Sequence, residues 1–114
     1  MGDILNKVIS GGQRKRLNIA LELIREPTLL FIDEPTSGLS STDSENIIEL
    51  LKKQASAGKL VISTIHQPSS RIYRLFDKIW ILDRAGYPVY AGNPVEAIEY
   101  FKKISAQVDA VGGE

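Results

Sequence analysis

Two adjacent carboxylates, Asp33 and Glu34, follow a short apolar run at residues 29–32. A continuously apolar run of this length is typical of a strand buried on both faces of a sheet. In open α/β sheets ligands bind at the carboxyl ends of the strands, where Asp33 could hold Mg²⁺ through retained waters. Glu34 could then act as a general base that polarises an attacking water. The alternative is a solvated strand end, which often contains acidic residues.

A second candidate site is Ser10-Gly11-Gly12-Gln13, at the start of a predicted helix. Ser10 and Gln13 can form a capping box, which needs no ligand. Capping does not explain the two glycines, because each costs roughly 0.5–1 kcal/mol in a helix relative to alanine. An approaching phosphate would explain them, since glycines permit close approach, and free N–H groups and the helix dipole favour negative charge. We therefore predict that this segment binds phosphate.

His66 is the only histidine of the chain and directly follows a second strand, predicted at residues 60–65. A lone histidine is more often structural than catalytic. Here, however, it would share one edge of a parallel sheet with Asp33 and Glu34. An imidazole at that edge could hydrogen-bond a terminal phosphate and help to position water.

The elements that must position these residues alternate between strand and helix. Strands are predicted at residues 29–33, 60–65, 78–82 and 87–91, and helices at residues 10–25, 42–55, 68–76 and 94–104. This order predicts an α/β fold with a mainly parallel sheet, flanking helices and a C-terminal hairpin. Residues 1–105 are expected to form one domain, and residues 106–114 a flexible tail.

Three local features accompany this prediction. The first helix has apolar residues at i, i+3, i+4 and i+7, which predict a buried stripe of Leu17, Ala20, Leu21 and Ile24. Thr42 and Glu45 have the spacing of a capping box at the start of the second helix. Trp80, in the middle of the third strand, is expected in the core.

The composition limits the classes of function. The 114 residues suit one domain or part of one, and the net charge of zero with scattered basic residues gives no reason to expect nucleic-acid binding. The absence of cysteine excludes disulfides and thiol chemistry. No apolar run approaches the ~20 residues of a membrane span. A role at a membrane would therefore require the membrane-spanning part to be supplied elsewhere.

Taken together, these motifs resemble the nucleotide-binding domain of ATP-binding-cassette (ABC) ATPases. Residues 9–13 resemble its signature motif, the run ending in Asp33-Glu34-Pro35 its Walker B motif, residues 37–41 its D-loop, and His66 its H-loop. Residues 14–16, residues 64–69 and the hairpin that ends at residues 90–92 are similar to the G subfamily, the eye-pigment and sterol-exporter type. The resemblance covers residues 9–101 and implies a P-loop NTPase-type fold.

The resemblance implies a role for each candidate residue. Asp33 is similar to the carboxylate associated with Mg²⁺, Glu34 to the general base, and His66 to the switch histidine on the γ-phosphate of ATP. The signature residues would contact the γ-phosphate of ATP held by a second nucleotide-binding domain in a head-to-tail dimer: Ser10, Gly11, Gly12 and Gln13. The implied reaction is phosphoryl transfer to water.

The sequence departs from the family pattern in three places. It contains no G-x-x-x-x-G-K-[ST] phosphate loop and no Q-loop glutamine, so it resembles the C-terminal half of the domain. Ile9 replaces the usual Leu, and Ser40 stands where the D-loop normally has Asp, which puts the D-loop contact across the dimer in doubt. The missing phosphate-loop strand is expected either to be replaced by re-pairing or to leave an exposed strand edge.

The resemblance implies an ATP-binding and ATP-hydrolysing subunit of an ABC transporter. It would lie on the cytoplasmic face of a membrane, bound to transmembrane domains, and power export. The chain by itself is expected to be inactive, since it lacks the phosphate loop. The alternatives are a soluble ABC ATPase of DNA repair or translation, and a non-catalytic ABC-like binding module. Soluble members commonly have His-Asp where this chain has His66-Gln67-Pro68.

Overall fold

The computed structural model describes residues 10–112, which divide into two compact units at Leu75 and Phe76. The first unit contains helix α1 (Gly11–Leu23), strand β1 (Leu29–Ile32), helix α2 (Ser41–Ser56), strand β2 (Leu60–Ser63) and helix α3 (Ser70–Tyr73). The second contains strand β3 (Ile79–Leu82), strand β4 (Pro88–Gly92) and helix α4 (Pro94–Gly112). Ile9, the departure from the signature motif, lies outside the described residues.

Strands β1 and β2 pair in parallel, with Leu29 opposite Leu60 and Ile32 opposite Ser63. The Thr64 N–H donates to the Ile32 carbonyl at 3.1 Å, which continues the ladder beyond the end of β2. Because the strands are parallel and pair residue by residue without an offset, their carboxyl ends lie at the same edge of the sheet. The residues that follow them are therefore brought together.

Helix α2 is the largest contributor to the core of the first unit. Ile47, Ile48 and Leu51 are buried on one side of it, and Ile47 is fully enclosed. Leu30 of β1 and Ile72 of α3 are also buried. Full burial of a side chain of this size contributes about 1.5–3 kcal/mol, so this cluster is the main hydrophobic support of the strand pair.

The N-terminus of α2 differs from the sequence prediction. The N-cap is Ser40, whose Oγ accepts the N–H of Asp43 at 3.1 Å, so the predicted capping box of Thr42 and Glu45 is wrong. Ser40 has the extended backbone of an N-cap (φ −63°, ψ 164°), and the helix has already begun at Ser41. The residue that departs from the family D-loop thus caps the helix that follows the loop.

Helix α1 contacts α2 through Gly12 at a very close approach. A Cβ at Gly12 would lie 2.5 Å from Cγ of Asp43, in the first turn of α2. Arg16, one turn further along α1, places its guanidinium 3.8 Å from Oδ1 of the same Asp43. Gly12 and Ile19, seven residues apart on one face of α1, are the buried residues of this helix.

The apolar stripe predicted on α1 is therefore not the buried face. Leu17, Leu21 and Ile24 are 53%, 55% and 74% exposed. The prediction was wrong because periodicity marks every apolar face of a helix, whereas the small residue at position 12 determines which face meets α2.

One face of the β1–β2 pair is also uncovered. The parallel register places Leu29 beside Leu60 and Phe31 beside Ile62, and all four side chains are exposed. We call these four residues the open sheet face. Burial of both faces, expected from the continuous apolar runs, is not found within residues 10–112, where only the face containing Leu30 is covered.

The second unit is a hairpin followed by a long helix. β3 and β4 pair antiparallel with an irregularity at Ile81 and Leu82, and Oδ1 of Asp83 accepts the N–H groups of Ala85 and Tyr87 in the turn. Trp80 is 76% exposed, so its predicted place in the core is wrong. Alternate residues of a strand face opposite ways, and in β3 the half-buried face is that of Ile79 and Ile81.

Helix α4 continues to Gly112, eight residues beyond its predicted end at Ile104. Val108 and Val111 extend the apolar spacing from Ile104 at i+4 and i+7, a signal that the small and polar composition of the segment obscured. The flexibility of residues 106–114 stays a prediction, and residues 113 and 114 lie outside the described part of the chain.

The predicted α/β class, with a parallel sheet, helices and a C-terminal hairpin, is confirmed. Within residues 10–112, β2 pairs with β1 alone and β3 with β4 alone. Of the two expectations for the missing strand, re-pairing is therefore not observed in the described part of the chain, where β2 keeps an unpaired edge. None of the helices described here combines the length and the apolar character that crossing a bilayer requires.

The contact between Gly12 and Asp43 predicts a dependence of stability on both residues. Gly12→Ala should lower the free energy of unfolding by about 1–3 kcal/mol, because the added methyl overlaps the Asp43 carboxyl group. In an Asp43→Ala background the same change should be neutral or stabilising by up to about 1 kcal/mol, since alanine is the better helix former. Urea denaturation of the parent, the two single variants and the double variant measures both effects.

Gly112→Ala is the matched control, because a Cβ at this helical glycine meets no atom within 4 Å. It should change stability by less than about 1 kcal/mol. An equal loss from Gly12→Ala with and without Asp43 would contradict the assigned contact.

Candidate functional site

The carboxyl ends of β1 and β2 form the first candidate site, which we call the carboxyl edge: Asp33, Glu34 and residues 64–67. The Thr64 hydroxyl connects its two halves, because it donates to Oδ1 of Asp33 and accepts the backbone N–H of Glu34 at 2.8 Å. One side chain after β2 thus holds both acidic residues after β1.

The backbone of the carboxyl edge is locally unusual. Three non-glycine residues among residues 10–112 have positive φ, and each precedes a proline: Glu26 (49°), Glu34 (44°) and Gln67 (47°). A following proline disfavours the right-handed helical region, and the left-handed region costs on the order of 1–3 kcal/mol for a non-glycine residue. Glu34 and Gln67 both belong to the carboxyl edge, and Pro35 after Glu34 is fully buried. Such outliers cluster at functional sites.

The chemical groups of the carboxyl edge are accessible to a ligand. Asp33, Glu34 and His66 are all exposed. The two acids follow β1 directly, and His66 is the third residue after β2, so the parallel pairing brings the loops that contain them to one edge. This arrangement can combine a metal-binding carboxylate, a general base and an imidazole that donates a hydrogen bond.

The donor set fits Mg²⁺ bound largely through water and phosphate oxygens. No group of three or more Asp, Glu, His or Cys side chains within residues 10–112 could enclose a metal ion. Mg²⁺ keeps several waters and is commonly held by one or two carboxylates plus substrate phosphates. Asp33 suits this role because it is exposed and because the Thr64 hydroxyl donates to one of its two carboxylate oxygens, Oδ1.

The N-terminus of α1 is the second candidate site. Ser10 Oγ accepts the Gln13 N–H at 3.1 Å, and Gln13 Oε1 accepts the Ser10 N–H at 2.9 Å, so the capping box is formed. The Ser10 hydroxyl still has a proton to donate to a ligand. A Cβ at Gly11 would lie 3.3 Å from Cδ2 of Leu39, and Gly12 meets Asp43. Close packing therefore gives a reason for the glycine at position 12 that sequence reasoning had assigned to phosphate.

The sequence-predicted residues form two groups in the structure. Asp33, Glu34 and His66 belong to the carboxyl edge, while Ser10, Gly11, Gly12 and Gln13 cluster at the start of α1. Among residues 10–112, no described hydrogen bond or ion pair connects the two groups.

Sequence reasoning missed two polar residues at these sites. Thr64 was treated as part of a strand, although a hydroxyl residue at a strand end, two residues before His66, is a recognisable candidate for contact with a neighbouring strand end. Asp43 was treated as part of a helix, although Ser40-x-x-Asp43 has the spacing of an N-terminal cap with its acidic partner.

Two family models match separate parts of the chain. A family model described as ABC transporter matches residues 3–37, and one described as ABC-2 type transporter matches residues 66–111. Among curated proteins, ABC transporter G family member 14 of Arabidopsis thaliana is 48% identical over 104 residues, which are 91% of this chain and 16% of that protein. Protein white of Drosophila melanogaster is 48% identical over 101 residues, 89% of this chain and 15% of that protein.

Solved structures give the same fold. The cbiO1 protein of Clostridium perfringens, described as part of the cbiONQ ABC transporter complex, matches 91% of this chain with a TM-score of 0.69 and 30% identity. An ATP-binding cassette described as a dimeric post-hydrolysis state bound to ADP and Pi matches 78% of this chain with a TM-score of 0.62 and 31% identity. The matched regions are 41% and 38% of those chains.

The chain thus spans about one sixth of the length of these curated relatives and about two fifths of these cassettes. The matches include the signature, Walker B and H-loop segments in one order, and they agree between sequence and fold. The chain belongs to the ATP-binding domains of ABC transporters, within the G subfamily.

Proposed function

We propose that this chain provides the catalytic edge of an ABC transporter ATPase. In this proposal Asp33 binds Mg²⁺, Glu34 is the general base for the attacking water, and His66 hydrogen-bonds the γ-phosphate of ATP. The observation that supports these roles is the parallel pairing of β1 and β2, which brings the loops of all three exposed residues to one edge.

The proposed reaction is phosphoryl transfer to water, in which positioning and electrostatic stabilisation do most of the work. Mg²⁺, when bound, would neutralise charge on the phosphate oxygens. The chain's own contribution is to hold a carboxylate for the metal-bound waters, to orient a water through Glu34, and to donate from the His66 ring to the terminal phosphate.

We further propose that the chain acts as the C-terminal half of a nucleotide-binding domain. The open sheet face supports this proposal. Phe31 and Leu60 are 69% and 59% exposed, although the apolar sequence of the two strands is typical of strands buried inside a sheet. The proposed occupant is the part of the cassette that contains the phosphate-loop strand. The cassettes matched here are more than twice as long as the region they share with this chain, which gives that part room.

Two protein partners complete the proposal. The N-terminus of α1 would contact the γ-phosphate held by a second nucleotide-binding domain in a head-to-tail dimer. This is consistent with the absence, among residues 10–112, of a described hydrogen bond between this N-terminus and the carboxyl edge. The match of residues 66–111 to an ABC-2 type transporter family supports transmembrane domains as the other partner. The domain would then lie on the cytoplasmic face of the membrane and power export.

The rival functions are less well supported. A soluble ABC ATPase acting on nucleic acid is disfavoured by the net charge of zero and by the His66-Gln67-Pro68 sequence. One of the relatives described above, G family member 14, and both matching family models are described as ABC transporters. A non-catalytic binding module retains the same motifs and is separated from an ATPase only by a measurement of hydrolysis.

The isolated chain should bind Mg-ATP with a dissociation constant weaker than about 1 mM and should not hydrolyse it. The reason is that the carboxyl edge offers two carboxylates and one imidazole but no nest of backbone N–H groups for the β- and γ-phosphates. Isothermal titration calorimetry of the 114-residue chain measures this affinity. Micromolar binding would contradict the assignment to a half-domain.

A cassette chimera tests the catalytic roles. In it, this chain replaces the matching 104 residues of Arabidopsis G family member 14, to which it is 48% identical. We expect the chimera to hydrolyse ATP, and Glu34→Gln to reduce kcat by at least about 100-fold because the general base is removed.

Glu49→Gln, an exposed change of the same type on α2, is the matched control and should leave kcat within about twofold of the parent. An active chimera that keeps its kcat in Glu34→Gln would remove Glu34 from the proposed role. A folded chimera without hydrolysis would favour the non-catalytic binding module.

A further inference from the structure

The hydroxyl of Thr64 connects the ends of β1 and β2, and it can also orient the acidic residues of the site. It contacts both acidic residues of the carboxyl edge, one through the side chain and one through the backbone. We propose that Thr64 is a positioning residue for ATP hydrolysis, which fixes the Asp33 carboxylate and the Glu34 backbone relative to the loop of His66. This inference rests on the ATPase function proposed above.

The direction of the two hydrogen bonds supports this role. Thr64 has one hydroxyl proton, and it points to Oδ1 of Asp33, a charged acceptor that makes the bond stronger than one between neutral groups. With the proton fixed there, a lone pair of Oγ is directed to the Glu34 N–H, 2.8 Å away. Each bond polarises the other, so the hydroxyl orients the acidic pair as a unit.

The backbone at Glu34 gives the second bond its importance. Its φ of 44° is unfavourable for a residue with a side chain, so the turn needs external contacts to keep that conformation. The Thr64 hydroxyl provides one such contact and the buried Pro35 another. Without the hydroxyl, the peptide of Glu34 can relax, and the direction of the general base changes with it.

Thr64 also connects the two acidic residues to the loop that contains His66. It follows β2 immediately, and its own N–H donates to the Ile32 carbonyl at 3.1 Å. Its side chain therefore projects from a backbone position that the ladder fixes, only two residues before His66. One residue thus sets the spacing between the loop of the base and the loop of the imidazole.

The exposure of the site makes the proposal testable without unfolding the protein. Asp33, Glu34 and Thr64 are all exposed, so water can replace the lost hydrogen bonds. Thr64→Val keeps the β-branched shape suited to a strand end and removes only the hydroxyl. Thr64→Ser restores the hydroxyl. Thr28→Val, at the amino end of the same strand pair, is the matched control.

The first measurement uses the 114-residue chain and needs no activity. Amide hydrogen exchange of Glu34 should become roughly tenfold faster in Thr64→Val, return to within about threefold of the parent in Thr64→Ser, and stay unchanged in Thr28→Val. Unchanged exchange in Thr64→Val would overturn the proposed contact.

The second measurement uses steady-state ATP hydrolysis by the cassette chimera. Thr64→Val should lower kcat by roughly tenfold to a hundredfold with KM for ATP within about twofold, Thr64→Ser should recover most of kcat, and Thr28→Val should match the parent. A purely structural role would lower stability or raise KM and would not be rescued by serine, and that result would overturn the proposal.

The two proposals fail in different ways. If Glu34→Gln leaves an active chimera unaffected, or if the parent chimera is inactive, the proposed catalytic function fails, and the positioning role in hydrolysis fails with it even when the exchange result supports the contact. If Glu34→Gln abolishes hydrolysis but Thr64→Val has the parental kcat, only the role of Thr64 is overturned.

Discussion

Parallel pairing of β1 and β2 is the constraint on which the candidate site depends. It aligns Ile32 with Ser63, so Asp33 and Thr64 begin their loops side by side. The hydrogen bonds of Thr64 to Asp33 and Glu34 form in this register. A shift of one residue would turn Thr64 to the opposite face of the pair and separate the acids from the loop of His66.

The same strand pair is covered on one face and open on the other. Leu30 is buried on the covered face, helix α2 packs against β2 and is the largest contributor to the core, and α1 contacts α2 through the small residue Gly12 and the carboxyl group of Asp43. The exposed Leu17, Leu21 and Ile24 of α1 and the open sheet face remain apolar without a cover within residues 10–112. A large exposed apolar area is typical of an interaction surface, and it supports the proposal that the chain works as part of a larger cassette.

The elements with strong local signals were predictable from the sequence. The α/β class, both parallel strands, the C-terminal hairpin and the Ser10–Gln13 capping box were all found, since each follows from periodicity or from fixed cap spacing. The errors have a common physical origin in tertiary contacts. The exposed stripe of α1, the exposed Trp80 and the close packing at Gly12 depend on which face meets a neighbour. Thr64 was missed because its partners are 30 and 31 residues away.

The most direct test of the central claim is one distance in a crystal structure of the Glu34→Gln cassette chimera with Mg-ATP. We expect a ring nitrogen of His66 about 3 Å from an oxygen of the terminal phosphate, with Asp33 contacting Mg²⁺ or its waters on the same phosphate. A terminal phosphate more than about 6 Å from His66, bound away from the carboxyl ends of β1 and β2, would contradict it.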